Sequence, residues 1–375
     1  MSSRPFKLNA EESKFLTKVM TLGTATALPI VMTPSEFVKL IGVVYHDTEM
    51  LTQLENSRPG TVAKIAPPQD YYLTPETWFL APIQLEEFEH IELMRLGAEQ
   101  IPDFVTYLRC LSELHKRRRK YAMILSAQPI PTMVQVSPRA LVEYGHFDTE
   151  ALASWITWRK FFYDLDNRSA QETGYLFEPV LAAAIGGEPK SASSRVVKRT
   201  EDQSKGRQVD CWKIRPDGTP LAYEFKLRVT IAASGQGRFG EELKFAEDCA
   251  NSGAIPVLIV LDPTSNPRLR DLQAEFKAKG GRAYIGDDAW THLEQEAGGI
   301  MAKFIERYVR IPISKISTFE VDHDEATGRK QLKLLDLEAR MIEGNLMLKF
   351  GNHERFIQRV EDMTLSENQP ESIDE

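Results

Sequence analysis

The chain has 375 residues, with 46 Lys and Arg against 54 Asp and Glu for a net charge of −8, and it is 42% hydrophobic and 27% charged. That balance excludes a disordered or fibrous chain, and a pI near 5.6 excludes a protein basic all over, though not a local basic surface. The three cysteines, Cys110, Cys211 and Cys249, stand far apart without a CxxC, which points away from a disulfide framework or zinc module and toward a reducing, cytoplasmic setting.

At roughly 100–200 residues per domain, this length predicts two or three domains. Residues 1–165 read as a mainly helical region, broken at Pro29, Pro34, Pro67-Pro68 and Pro129–Pro131. The apolar run Leu22–Met32 has Glu11 and Glu12 upstream and Pro29 inside it. It is expected as a buried element, not a targeting signal, and falls well short of the ~20 residues a membrane span needs. Ile101–Leu125 is the longest candidate helix and carries His115-Lys116-Arg117-Arg118-Arg119-Lys120. A solvated helix face is the plain expectation for such a run, and contact with phosphates is the alternative. Trp155, Trp158, Phe161 and Phe162 fall at helical spacing and are expected in the core.

Residues 166–310 change texture. The pattern predicts a helix at Ser169–Ile185, strands at Ser193–Arg199, Gln208–Arg215 and Leu221–Thr230, a helix at Glu241–Asn251 and a strand at Ile255–Leu261. A helix at Pro267–Lys279, a strand at Arg282–Ile285 and a helix at Asp288–Tyr308 complete it. This alternation marks an α/β domain with a mixed sheet flanked by helices. Residues 311–360 read as a small antiparallel β region, with turns near Ala326-Thr327-Gly328 and Glu343-Gly344-Asn345. Residues 361–375 hold six acids and no base and read as a disordered acidic tail.

The informative stretch is Gly206–Thr230. Along Leu221–Thr230 the alternation sends Leu221, Tyr223 and Phe225 one way and Glu224, Lys226 and Arg228 the other. Pro216-Asp217-Gly218-Thr219 is a turn signal, so the preceding strand folds back as a hairpin. Symmetric folding would set Asp210 opposite Phe225, on the wrong face. An odd-length loop or a bulge that shifts the register by one residue is therefore predicted, bringing Asp210 beside Glu224. Asp217, about 20 Å along the strand from Glu224, belongs to the turn. Two converging carboxylates repel unless a cation lies between them, and all-oxygen donors favour Mg²⁺, with Mn²⁺ as a substitute. The Phe225 carbonyl, between the two polar side chains, is a further candidate ligand.

This order of elements with Asp210 and Glu224-Phe225-Lys226 resembles the PD-(D/E)xK nuclease superfamily, type II restriction endonucleases in particular, over about Ser169–Leu261. The resemblance implies a restriction-endonuclease-like core in which Asp210 and Glu224 hold the metal and Lys226 is the catalytic lysine. It also implies a supporting acid on the preceding helix, where Glu178 is the better match and Glu172 the second. Val209 stands where the pattern has proline. Residues 195–240 hold ten Lys and Arg against five acids, a basic rim suited to double-stranded DNA. Lys198, Arg199, Arg207 and Arg228 are its candidate contacts, and Gln236 and Arg238 are placed to read base edges. For Ile231–Gly240 a flexible connector is an equal expectation. Cutting both strands of a palindrome calls for two symmetric sites, so a homodimer is expected. Residues 1–165 would then serve as scaffold, DNA contact or dimerisation region. The resemblance also implies a cognate DNA methyltransferase as functional companion.

The rival from another class is Gly235-x-Gly237-x-x-Gly240 with Asp262 beyond it, the spacing of an NAD(P)-dependent oxidoreductase. Against it, Glu224, Lys226 and Arg228 interrupt the preceding strand, Val229 is far from Gly235, and Glu241-Glu242 would repel a pyrophosphate. A DNA repair or junction-resolving nuclease, or a non-catalytic DNA-binding protein, would share the core. The seven histidines show no metal-ligand spacing, and neither GxSxG nor a P-loop occurs.

Overall fold

The computed structural model describes residues 8–23, 28–173, 177–226, 236–262, 264–317 and 337–360. The helical region begins with α1 (Ala10–Met20) and α2 (Pro34–Asp47). Each opens with a reciprocal capping box, Asn9 with Glu12 and Thr33 with Glu36, and Pro34 stands at the start of α2 where its missing N–H costs nothing. α3 (Glu89–Gln100), α4 (Phe104–Ala127), α5 (Thr149–Thr173) and α6 (Phe177–Ala184) follow.

The central sheet has five strands in spatial order β1 (Glu188–Lys190), β2 (Val209–Ile214), β3 (Pro220–Lys226), β4 (Ile255–Val260) and β5 (Arg282–Ile285). β1–β2 and β2–β3 are antiparallel, while β3–β4 and β4–β5 are parallel, so the sheet is mixed. α7 (Gln236–Asn251) and α8 (Pro267–Ala278) connect the parallel strands, as crossovers must. Beyond β5 come α9 (Asp287–Ala297) and α10 (Gly299–Ile305), which continues into a π-turn at Glu306–Arg310. Gly298, at φ +61°, breaks what the sequence reads as one helix over Asp288–Tyr308.

Two cores clamp the sheet. Leu221, Tyr223 and Phe225 of β3 join Val257 and Ile259 of β4 in a large core shared with α2, α4, α6 and α10, continuous across residue 165. Ala222, Leu258 and Val260 face the other way, against Phe245 and Cys249 of α7 and Leu272 and Phe276 of α8. Helices therefore cover the face of β3 that carries Glu224 and Lys226, and its polar character is confined to the end of the strand. The strand expected at Ser193–Arg199 is absent. A short 3₁₀ turn at Ala192–Ser194 and an isolated Lys198–Gly206 bridge stand there, and β1 takes the sheet edge instead.

The basic run of α4 is neither a solvated face nor a phosphate platform. His115, Lys116 and Lys120 are buried. The Lys116 ammonium donates to the carbonyls of Lys18 and Thr21 at 2.6 and 3.0 Å and to Glu113 at 2.6 Å. His115 bridges the Tyr71 hydroxyl and the Glu36 carboxylate, both at 3.0 Å, and Arg119 donates to Glu36 at 2.8 Å. Exposed Arg118 lies over the rings of Tyr71 and Tyr72. These cations wire α4 to the first hundred residues through fixed internal partners.

At the C-terminal end, β6 (Glu338–Ile342), β7 (Asn345–Phe350) and β8 (His353–Ile357) form an antiparallel three-stranded sheet that turns at Glu343-Gly344 as expected. Ile311–Ser317 is helical rather than extended. The turn expected at Ala326-Thr327-Gly328 and the acidic tail at 361–375 lie outside the described residues.

Candidate active site

The β2–β3 hairpin sets the geometry. Its ladder pairs Cys211 with Tyr223, Trp212 with Ala222, Lys213 with Leu221 and Ile214 with Pro220. The loop between is Arg215–Thr219, an odd length, and it shifts the register by one residue from the symmetric fold. Continued one step, the ladder sets Asp210 across from Glu224, on the same face. Gly218 supplies φ +85° in the turn, and the Asp217 carboxylate accepts the Thr219 N–H at 2.9 Å. Asp217 is thereby a turn residue, far from the acids.

Asp210 turns its carboxylate toward the β3 backbone and accepts the Phe225 N–H at 2.9 Å. The Phe225 ring goes into the large core, which leaves only its backbone beside the acids. Lys226 Nζ lies 3.2 Å from Glu224 Oε1 and 3.0 Å from Glu242 Oε1 of α7. Glu178, in the first turn of α6, is half-buried and within electrostatic reach of Asp210 and Glu224. The side chain of Glu172 lies outside the described residues.

The charge balance of this cluster is strained. Burial, then Glu224 and Glu178, push the Asp210 carboxyl up to about 8, against the pull of the Phe225 amide and Lys226. Glu178 is raised as well, by burial first and Glu224 next. Burial alone would lower Lys226, but Glu224 and Glu242 outweigh it and hold the ammonium above its ordinary range. Lys226 therefore keeps its proton through neutral pH.

The donors fit a hard divalent cation. Every candidate ligand is an oxygen, and the raised Asp210 carboxyl reports negative charge that one lysine does not neutralise. Among the described residues no three His, Cys, Asp or Glu side chains lie close enough to enclose an ion. Mg²⁺ does not require such a cage, because it is held by one or two carboxylates and keeps several waters.

The expected DNA contacts fare unevenly. Arg207 is a correction. It is buried, its guanidinium hydrogen-bonds the Asp248 carboxylate and the Glu241 carbonyl, and it lies 5.6 Å over the Phe245 ring. Thr200 N–H donates to the same Asp248 at 2.7 Å, so this arginine pins the segment before β2 to α7 and is withdrawn from any phosphate. Arg199 is half-exposed and pairs with Glu241 at 2.6 Å, while Lys198 is exposed. Arg228 and Gly235 lie outside the described residues. So do the side chains of Gln236 and Arg238, whose backbones lie in the first turn of α7.

α7 begins at Gln236, well before the Glu241 that the pattern predicts, and it takes in Gly237 and Gly240. The glycines therefore belong to a helix rather than to a phosphate-binding turn. The residue missed by sequence reasoning is Glu242. Glu241-Glu242 reads as a dipole-complementing pair at the helix start, and only the position of α7 on the sheet reveals its contact with Lys226.

With this geometry in view, the comparisons define the class. A family model described as ApaLI-like restriction endonuclease matches residues 61–310. The chain belongs to that family and is a type II restriction endonuclease, a site-specific deoxyribonuclease acting on double-stranded DNA. It is 57% identical over 362 residues, 96% of either chain, to the type II restriction enzyme ApaLI of Acetobacter pasteurianus. Among the described residues, no helix is long and apolar enough to cross a membrane.

Proposed function

We propose that the β2–β3 hairpin is the centre of a PD-(D/E)xK core, spanning residues 166–310, that hydrolyses DNA with Mg²⁺. In this reading Asp210 and Glu224 hold the ion with the Phe225 carbonyl, Glu178 supports them, and Lys226 acts on the substrate. Mn²⁺ substitutes. The observation that carries the reading is the hairpin register that sets Asp210 across from Glu224, with Lys226 Nζ 3.2 Å from the Glu224 carboxylate, and confronting half-buried acids in this way costs stability unless a cation joins them.

When bound, the divalent ion supplies a Lewis acid for the charge that develops on the phosphate. The chain supplies the rest. Asp210, locked to the Phe225 amide, fixes the position of one carboxylate relative to the strand. Lys226, protonated between Glu224 and Glu242, presents a positive N–H donor and so orients the attacking water or stabilises the scissile phosphate, rather than taking a proton. In the balanced reaction, water adds to phosphorus, one P–O ester bond breaks, and the leaving oxygen takes a proton. Partial burial of the acids limits how far bulk water screens these charges.

The substrate is held by Lys198, Arg199, Arg228, Gln236 and Arg238; Arg207 is withdrawn because of its buried pair with Asp248. The enzyme acts as a homodimer, with a DNA methyltransferase of the same specificity as its functional companion. The test is digestion of supercoiled plasmid. Discrete bands with Mg²⁺, none with EDTA, and none from Asp210→Asn, Glu224→Gln or Lys226→Ala are the expected outcome. Cutting by all three variants would place the active centre elsewhere.

A further inference from the structure

Between α4 and α5 the chain makes an excursion, a short helix at Met133–Val136, a 3₁₀ turn at Ser137–Val142 and a bridge between Tyr144 and Phe147. Its inner side packs Val136 against Leu152 and Ile156 of α5, a small core apart from the others. Its outer side is apolar where a solvated loop would be polar. Val134 is 84% exposed, Leu141 79%, Val142 85% and Tyr144 73%. Trp155 and Tyr163 extend the patch along α5; the aromatic spacing there marks the core only for Phe161 and, in part, Trp158.

The segment is braced rather than loose. Trp155 Nε1 donates to Glu143 at 2.7 Å, and Arg159 pairs with the same carboxylate. Beside it a groove of about 510 Å³ opens between α5 and β6, with Met133, Trp158 and Met341 in its walls. On α5 the groove residues Ser154, Thr157, Trp158 and Phe161 point away from Trp155 and Arg159, so the ridge and the groove lie on different sides of the helix.

Charge decides what kind of partner fits. Residues 130–163 carry three bases, Arg139, Arg159 and Lys160, and three acids, Glu143, Asp148 and Glu150. Arg159 is spent on Glu143, Lys160 on Asp164, and Arg340 at the groove on Glu338. A neutral surface with most of its cations already paired has little to offer a phosphate backbone. Its area suits a protein. At about 200 Å² for a whole aromatic side chain, Tyr144, Phe147, Trp155 and Tyr163 leave roughly 450 Å² in solvent. Val134, Leu141 and Val142 bring the total toward the ~800 Å² that each partner contributes to a stable interface, beyond the largest patch typical of a monomer.

We propose that this ridge is the contact between two copies of the chain, the Leu141–Tyr144 segment of each packing against that of the other. A two-fold axis sets one patch against its own copy, and an apolar patch whose Arg159 and Lys160 are paired internally meets itself without stranding those charges. The proposal rests on the homodimer reading and deepens it by naming the surface.

The experiment is mass measurement by light scattering on the full-length protein, together with plasmid digestion. Wild type is expected at twice the chain mass. Leu141→Glu with Val142→Glu, both at exposed positions, is expected to weaken association roughly 100-fold or more by setting unpaired charges in the contact. That variant should keep the wild-type circular dichroism and melting temperature measured at low concentration, and should nick plasmid before linearising it. Tyr144→Ala, which adds no charge, guards against misfolding and should weaken the dimer without nicking strictly first. A wild-type dimer that persists in both variants would overturn the surface and leave the dimer standing. A monomeric wild type would overturn both.

Discussion

Asp210→Asn changes one atom and removes one charge from the acid cluster. The amide keeps an oxygen for the Phe225 N–H, so the hydrogen bond survives and the charge is the only loss. The carboxyl rises from 3.8 to about 8 in the folded protein. An acid raised on folding binds its proton more tightly in the native state, so it costs stability as pH climbs from about 4 to 8 and costs nothing below both values. At about 1.4 kcal/mol per unit, the ceiling is roughly 5–6 kcal/mol above pH 8. Water entering the site and protons taken up by Glu178 leave about 2 kcal/mol as the expected gain. At about 2 °C per kcal/mol for a chain of this size, Asp210→Asn should melt about 4 °C higher than wild type at pH 8 in EDTA. The gain should shrink toward nothing by pH 4. Adding Mg²⁺ should raise the wild type and leave the variant where it was, which reverses or closes the gap. Differential scanning calorimetry reads all of this. A variant that melts below wild type at pH 8 in EDTA, or gains equally at pH 4 and pH 8, would refute the view that these acids confront one another.

Glu242→Gln should lower the turnover rate about 10-fold or more while leaving DNA affinity in Ca²⁺ within about twofold, since it releases Lys226 from one anchor without touching a phosphate contact; Glu242→Asp should restore part of the rate. Arg207→Ala should cost about 3–5 kcal/mol in urea denaturation, because it strands the buried Asp248 carboxylate. Loss of DNA affinity with unchanged stability would contradict that role. Lys116→Met should destabilise the fold by about 1–3 kcal/mol, leaving the carbonyls of Lys18 and Thr21 without its ammonium, and should not alter the salt dependence of DNA binding.

How much of the molecule is legible in its sequence depends on how local the physics is. β4 follows from a continuous apolar run, β5 from the short Ala283-Tyr284-Ile285 stretch after Gly280-Gly281, and the Glu343-Gly344 turn from its own residues. The hairpin register follows because side-chain direction has period two: a symmetric fold leaves Asp210 out of step with Glu224, and a shift of one residue is the simplest repair. The failures are tertiary. Nothing near Lys116 announces that carbonyls from the end of α1 will receive its ammonium, so a run of cations reads as solvated. Arg207 reads as a rim residue because its partner, Asp248, lies far along the chain, near the end of α7. Glu242 is visible as a helix-start acid but not as a neighbour of Lys226, since that contact depends on how α7 crosses the sheet. Helical spacing groups Trp155 with the core, while the structure turns it outward, because spacing gives a face but not which face is buried.

In the proposed mechanism Asp210, Glu224 and Lys226 form one catalytic unit around a divalent ion. Its most direct test is single-turnover cleavage of a DNA fragment carrying the recognition site, with binding measured in parallel in Ca²⁺. Asp210→Asn, Glu224→Gln and Lys226→Ala are each expected to bind the fragment at near wild-type affinity and to cut at least about 1,000-fold more slowly with Mg²⁺. Wild-type cutting rates from any of the three, or a loss explained wholly by weaker binding, would contradict it.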